Sequence, residues 1–417
     1  MWITYLLLNF FASSRLPVLE VVVFNHQPHI TAQPRCGCLF SFYATTNRGL
    51  EDVAAREVEE LLGVKASVGL GRVFFESSLK GALKLNLASR MLHRVVLILV
   101  RSTIESLQEV YRTAAAVDYP SFIEPAQSFA VRAERKGKHS FTSLDVASKV
   151  GQAVIDTYMA LKGSRLKVNL DDPDVVIQCM LKENDFTLGV DLTGPSLHMR
   201  NYRVYDHPAA LRSTIAASML KLSGWQDTAP LLDPMCGGGT IVIEAALMAR
   251  KVPPGIYRKT FAYRKLCFID KELEAEVAED LAEGINFEAY PIHGLDCSAK
   301  HVQGAMLNAR SAGVDDTIKL EVGDALRLRE ILDYQPAYLV LNPPYGVRSG
   351  PSLKRIADFY LKLLRSLKEA ARGARVTLIT VSYDSFLKAA SKVGVEVLWS
   401  RSVMHGSLKA SIASFLL

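Results

Sequence analysis

Short apolar runs and amphipathic stretches alternate along most of the chain, and their spacing predicts its elements. Phe40–Thr45 is rich in aromatic and β-branched residues and reads as a strand. Leu50–Leu62 places apolar residues at helical spacing among acids, with Gly63 as a C-terminal stop. Val64–Glu76 has strand-like stretches around Gly69 and Gly71, and Leu79–Arg90 is helical by period. Arg94–Arg101 contains the unbroken apolar run Val95–Val100, the pattern of a buried strand.

This β-α-β-β-α-β order is that of a ferredoxin-like unit. A second α/β unit follows. Ile104–Ala116 is helical, Ser128–Arg135 a strand, and Ser143–Gly163 a long helix with Gly at its end. Val175–Leu181 and Phe186–Leu192 read as two strands joined by the polar turn Lys182–Asp185. From about Arg212 the pattern becomes a strand–helix alternation. Strands are expected at Pro230–Asp233, Pro291–Asp296, Ile318–Val322, Ala337–Leu341 and Ala374–Val381, with helices at Thr240–Arg250, Ala299–Ser311 and Ser352–Arg372. Short apolar strands between helices indicate a parallel sheet covered on both faces. Val395–Ser400 and Ser407–Leu416, with a short connection centred on Met404-His405-Gly406, should close one sheet edge as an antiparallel hairpin. The fold class is therefore α/β: two small units, then a Rossmann-like sheet ending in a hairpin.

Residues 1–38 differ from this pattern. The apolar start Met1–Phe11 is shorter than a membrane span and has no Lys or Arg before it. An N-terminal extension is the expectation; a packed strand and a signal or anchor are the alternatives. The expected divisions are 1–38, 39–102, 103–195, a linker 196–212, and 213–417.

Composition adds little. Lys plus Arg is 49 against 43 Asp plus Glu, so the net charge of +6 permits an anionic partner without demanding one. Six cysteines (Cys36, Cys38, Cys179, Cys236, Cys267, Cys297) are too few for a disulfide scaffold in 417 residues, which suggests a cytoplasmic protein with reduced thiols. Neither these nor the nine histidines show metal-ligand spacing, and no metal is expected.

Candidate chemistry begins at Leu232-Asp233-Pro234-Met235-Cys236-Gly237-Gly238-Gly239-Thr240, between a strand and a helix. Glycines let a backbone turn tightly and approach a ligand with its N–H groups. The Lys-Ser/Thr pair of a phosphate loop is missing, which disfavours nucleotide hydrolysis. Asp296 ends a strand, where an acid can take ribose hydroxyls, although Lys251–Tyr290 makes the spacing from the glycines unusually long; a helix N-cap is the plain alternative. Asp324-Ala325 closes the next strand and could reach an adenine amine, or be an ordinary turn. Asn342-Pro343-Pro344-Tyr345 follows a buried strand. Its prolines stiffen the chain and remove donors, leaving the Asn342 amide oxygen and the Pro343 carbonyl free to hold an exocyclic amine. Tyr345 could stack on a flipped base.

These motifs resemble those of class I S-adenosylmethionine-dependent methyltransferases acting on amino groups. The resemblance implies S-adenosyl-L-methionine as cofactor, held by Asp233, Met235, Gly237, Gly239, Thr240, Asp296, Asp324, Ala325 and Asn342, with Asn342, Pro343 and Tyr345 catalytic. Leu197–Leu211 looks like the junction of THUMP-domain RNA methyltransferases, and the resemblance covers roughly residues 40–417. Within that family, Val204–Leu211 and Asp233–Gly237 look most like the tRNA guanine-N2 methyltransferases acting on nucleotide 6. The resemblance thus implies tRNA as partner, a monomer and no membrane. Rivals are the same modification at nucleotide 10 or in 23S ribosomal RNA, and a non-catalytic RNA-binding adaptor. Arg132, Lys136 and Lys138, with Arg200, Arg203 and Arg348, are the candidate RNA contacts, and Lys162, Arg165 and Lys167 could extend them. A solvated turn or a packed linker is the bland alternative for these charges. His207 is expected to help shape the cofactor pocket, and His93 to be structural.

Overall fold

The computed structural model describes residues 38–344 and 353–417, with side chains in the second segment from Ile356. The expectations for residues 1–37, Tyr345 and Arg348 lie outside the described residues.

Two sheets organise the chain. The first has strands β1 (Phe40–Thr46), β2 (Ala66–Gly69), β3 (Arg72–Ser77), β4 (Leu92–Thr103), β5 (Ser128–Lys136), β6 (Lys167–Val168), β7 (Val175–Lys182) and β8 (Asp185–Asp191). Their order is β2-β3-β1-β4-β8-β7-β5-β6. The two front units therefore share one continuous sheet, joined where β4 pairs antiparallel with β8 from Val96↔Asp191 to Thr103↔Asp185. Phe42, Leu97, Val190 and Ile177 sit in register across four strands. All are buried, in one core with Val53 and Leu83 of the first unit's helices and Val110 and Val150 of the second's. Both edges of β4 are thus paired, which suits its long apolar run.

The second sheet has β9 (Leu231–Asp233), β10 (Ile292–Asp296), β11 (Ile318–Val322), β12 (Tyr338–Leu341), β13 (Arg375–Thr380), β14 (Val397–His405) and β15 (Leu408–Leu416), in the order β11-β10-β9-β12-β13-β15-β14. The five strands β9–β13 run parallel, and β15 lies antiparallel between β13 and β14. The terminal hairpin is as expected, but its first strand runs on to His405, which pairs with Leu408, so only Gly406 and Ser407 form the turn. Gly406 adopts a left-handed φ of 65°, which a two-residue hairpin loop favours.

Three helices fall outside the expected elements: Ser213–Ser223, Lys271–Ala282 and Tyr383–Val393. Ser213–Leu220 is buried on every side, so no polar stripe marks a period.

Candidate active site

Strand order reverses at β9. The chain moves outward through β10 and β11, then returns to place β12 on the other side of β9. In an open parallel sheet, ligands bind in the crevice at the carboxyl ends of the strands flanking such a switch point. The Gly-rich turn follows β9 there, and Asn342 follows β12.

In the Gly-rich turn, Gly237 and Gly239 have φ of 53° and 80°, a region L side chains rarely adopt. A Cβ on Gly237 would meet the His207 ring at 3.3 Å, and one on Gly239 would meet Ala305 at 3.1 Å. Gly239 then caps the helix Thr240–Ala249 without any side-chain cap, so its first N–H groups face the turn. Asp296, at the end of β10, accepts from Gly237 N at 3.0 Å and Ser298 N at 2.9 Å. Its own carbonyl accepts from Gly323 N, which ties three strand ends together. Asp324 is exposed and caps the turn Ala325–Arg327 through Leu326 N, with Ala325 buried beneath it. Asp233 lies deeper than a cofactor contact. It is 1% exposed and accepts from Met235 N at 3.1 Å. Burial, with the nearby Asp296 adding to it, pushes its carboxyl up to about 8.

Asn342 donates its Nδ2 to the Ala209 carbonyl at 3.4 Å. Its Oδ1 is buried and accepts no hydrogen bond among the described residues. A buried acceptor without a donor costs about 1–3 kcal/mol unless a ligand supplies one. Together with the cradle at Gly237 and Gly239, which any side chain would fill, this orphaned oxygen fits a site shaped for a cofactor and an amine.

The junction packs over the Gly-rich turn. Arg203 bonds the Thr240 hydroxyl at 3.1 Å and the Leu211 carbonyl at 3.2 Å. His207 lies over Gly237 and Gly238, with its ring 4.3 Å from that of His301, and Tyr205 Oη is 2.8 Å from His301 Nδ1. Burial and the neighbouring His301 lower the His207 pKa. His93 is structural: its Nε2 is 3.1 Å from the Thr214 hydroxyl.

The expected RNA contacts divide. Arg200 does not fit the role. Its side chain is 3% exposed, pairs with the buried Glu244 at 3.1 Å, and donates to the Leu197 and Arg90 carbonyls. Arg132, Lys136 and Lys138 are exposed, although Arg132 also donates to the Leu170 carbonyl. Lys162, Arg165 and Lys167 are exposed too, but β6 pairs Lys167 with Ser128, at the opposite end of β5 from Lys136. At roughly 3.3 Å per residue Lys136 lies about 25 Å along β5 from Lys167, with Arg132 between them, so the basic positions form a strip along the strand.

Sequence reasoning missed Asn308 and Glu244. Asn308 is a buried amide in the helix Ala299–Ser311, bonded to Val204 N, Tyr205 N, Tyr205 O and Gly238 O. Its one sequence signal is a polar residue beside the apolar positions Ala305 and Ala309.

A parallel sheet of this order, closed by a reversed seventh strand and carrying both turns at its switch point, is a class I methyltransferase fold. Comparison with known proteins sharpens this. A family model for an RMKL-like methyltransferase domain matches residues 200–411, a THUMP domain model matches 105–191, and an RlmL ferredoxin-like domain model matches 41–96. A tRNA (guanine(6)-N2)-methyltransferase of Methanocaldococcus jannaschii is 38% identical over 89% of this chain and 98% of its own. The enzyme of the same name from Archaeoglobus fulgidus is 40% identical over 90% and 92%. Among solved structures, SMU.472, assigned as a methyltransferase and complexed with SAH, superposes with a TM-score of 0.81 at 25% identity, over 91% of this chain and 98% of that one. The chain belongs to the THUMP-containing family of tRNA (guanine(6)-N2)-methyltransferases.

Proposed function

We propose that the protein transfers a methyl group from S-adenosyl-L-methionine to the exocyclic N2 of guanine 6 in the tRNA acceptor stem, giving N2-methylguanosine. The observation that carries this reading is the buried, unpartnered Asn342 Oδ1 at the switch point, opposite the Gly-rich turn. When bound, the cofactor supplies an electrophilic methyl on its sulfonium. The Gly-rich turn from Gly237 to Thr240 and the Asp296 carboxylate would hold it, with Asp324 and Ala325 at the adenine and Met235 beside the turn.

The chain's own work is positioning. A guanine amine is conjugated with its ring and is a poor nucleophile. Asn342 Oδ1 and the Pro343 carbonyl accept hydrogen bonds from its two N–H groups and turn the nitrogen lone pair out of conjugation. Ala209 fixes the Asn342 amide with its oxygen available. The nitrogen becomes cationic before it loses a proton, so a weak acceptor suffices. Arg132, Lys136 and Lys138 would hold the RNA backbone without choosing the base. The same reading takes the protein as a cytoplasmic monomer, and no helix among the described residues is long and apolar enough to cross a membrane.

The test is to incubate unmodified tRNA with purified protein and labelled cofactor, then map the label by nuclease digestion and mass spectrometry. N2-methylguanosine at nucleotide 6 is expected. Label at nucleotide 10, or only in ribosomal RNA, overturns the substrate, and cofactor binding without transfer to any RNA points to an adaptor.

A further inference from the structure

The segment 251–290, which lengthens the spacing between the Gly-rich turn and Asp296, leaves the transferase sheet and touches both front units. Toward the first unit, Gly255 lies against the end of the helix Leu79–Ala88, where a Cβ would sit 2.6 Å from the Leu87 Cα and carbonyl oxygen. The helix Lys271–Ala282 runs beside that same helix, and Lys80 bridges Glu276 at 2.6 Å and Asp280 at 2.9 Å. Arg90 of the first unit donates to the Leu247 and Val252 carbonyls at 2.9 and 2.7 Å.

Toward the second unit, Tyr263 N and Ala262 N donate to the Leu192 and Thr193 carbonyls at 2.9 and 3.3 Å. Lys265 pairs with Asp174 at 2.9 Å, and its carbonyl accepts from Gln127 at 2.6 Å. Arg258 reaches the start of the junction, donating to the Pro195 and Ser196 carbonyls at 2.6 and 3.1 Å. At its far end the segment returns to the transferase domain, where Arg250 holds the Glu288 carbonyl at 3.0 Å and pairs with Asp316 at 2.7 Å. It departs from the carboxyl end of the helix Thr240–Ala249. At 1.5 Å per residue that is about 15 Å from the Gly-rich turn, so the segment acts on neither cofactor nor base directly.

A linker alone leaves two units free to reorient, whereas docked contacts fix them. The first unit also docks directly on the transferase domain, through Arg401 with Asp52, Met404 N with the Arg48 carbonyl and Asn47 with Thr214, and residues 251–290 add a tie that extends to the second unit. We infer that residues 251–290 are a brace that sets the reach from the RNA-holding front units to Asn342, and so selects which guanine enters the site. Gly255 and Arg258 are its positioning residues. The inference rests on the tRNA methyltransferase reading. A fixed reach explains how contacts that do not read bases still deliver one nucleotide, because a misplacement of about 1 Å at the reacting atoms can cost on the order of 100-fold in rate.

The experiment uses the full chain with Gly255→Ala, which pushes a methyl against the Leu87 backbone, and Arg258→Gln, which releases two carbonyls. Four quantities are read: S-adenosylhomocysteine affinity by calorimetry, kcat and KM on unmodified tRNA, and the methylated positions by mass spectrometry. Cofactor affinity should stay within about twofold. Turnover on tRNA should fall by roughly 10- to 100-fold, mainly in kcat, with label spreading to guanines beside the wild-type target. Arg258→Lys, which can still reach one carbonyl, should recover part of the loss. Should either variant fail to fold, the half-buried Lys80→Glu serves in its place, with the swap Lys80→Glu/Glu276→Lys/Asp280→Lys restoring the wild-type position. An unchanged target with turnover within about twofold in the folded variants overturns the brace, as does spreading that the swap does not reverse. The wild-type map judges the substrate reading separately: if wild type labels another guanine, the brace is still judged by whether the variants move that position.

Discussion

The side-chain amide of Asn308 donates to the carbonyl of Gly238 at 2.9 Å and accepts the N–H groups of Val204 and Tyr205 at 2.9 and 2.8 Å. One buried group thereby ties the Gly-rich turn to the junction above it. Asn308→Ala leaves several backbone groups without partners, each at about 1–3 kcal/mol. A clear drop in thermal stability is expected, together with cofactor affinity at least about tenfold weaker. Differential scanning fluorimetry and calorimetry check the two effects. An unchanged affinity would show that the junction and the Gly-rich turn keep their arrangement without Asn308.

Asn342 and Asp296 should separate chemistry from binding. Asn342→Ala removes the acceptor for the amine and should abolish transfer in a labelled-methyl assay while largely sparing cofactor affinity. Asp296→Ala should weaken that affinity, both by removing a ribose partner and by freeing Gly237 N. Normal turnover in the first variant, or unchanged affinity in the second, contradicts the assignment.

The two kinds of arginine should behave in opposite ways. Arg200→Ala removes the ion-pair partner of the buried Glu244 and is expected to destabilise the fold by about 3–5 kcal/mol. It should leave the salt dependence of tRNA binding as it was. Lys136→Ala and Lys138→Ala, on exposed positions, should barely alter the unfolding midpoint yet flatten the slope of log affinity against log salt by about one per lost phosphate contact. Denaturant titration and binding at several salt concentrations distinguish them.

Asp233 predicts a pH effect. Its carboxyl rises from 3.8 to about 8 on folding because it is buried. Between these values the folded state binds more protons than the unfolded state, so stability is fully present below about 3.8 and is lost as pH rises through about 8. Without cofactor, Asp233→Asn should lose less stability than wild type between pH 5 and pH 8. Parallel pH–stability curves for the two proteins count against a raised carboxyl.

Much of this was legible in sequence because period and punctuation are local. The helix Ser143–Lys162 announces itself through its spacing and Gly163, and the Gly-rich turn and Asn342-Pro343 lie on strand ends that any apolar run would place there. Arg200 was misread because an Arg beside a Tyr looks the same whether exposed or buried; the partner that decides, Glu244, lies 44 positions away. His207 lies against the Gly-rich turn, and its contact with His301 depends on a helix almost a hundred residues downstream. The segment 251–290 showed only as an awkward spacing. Its meaning resides in contacts such as Gln127 with Lys265, 138 positions apart.

The pairing of β4 with β8 has a consequence for how the protein can be divided. A cut between residues 102 and 103, where the sequence suggests two modules, would strip one side of β4 and one side of β8 of all their backbone partners. Each fragment would then carry a long, apolar strand with open N–H and C=O groups, a template for indiscriminate association. The front half is therefore one heritable part: shuffling or expression should take both units together.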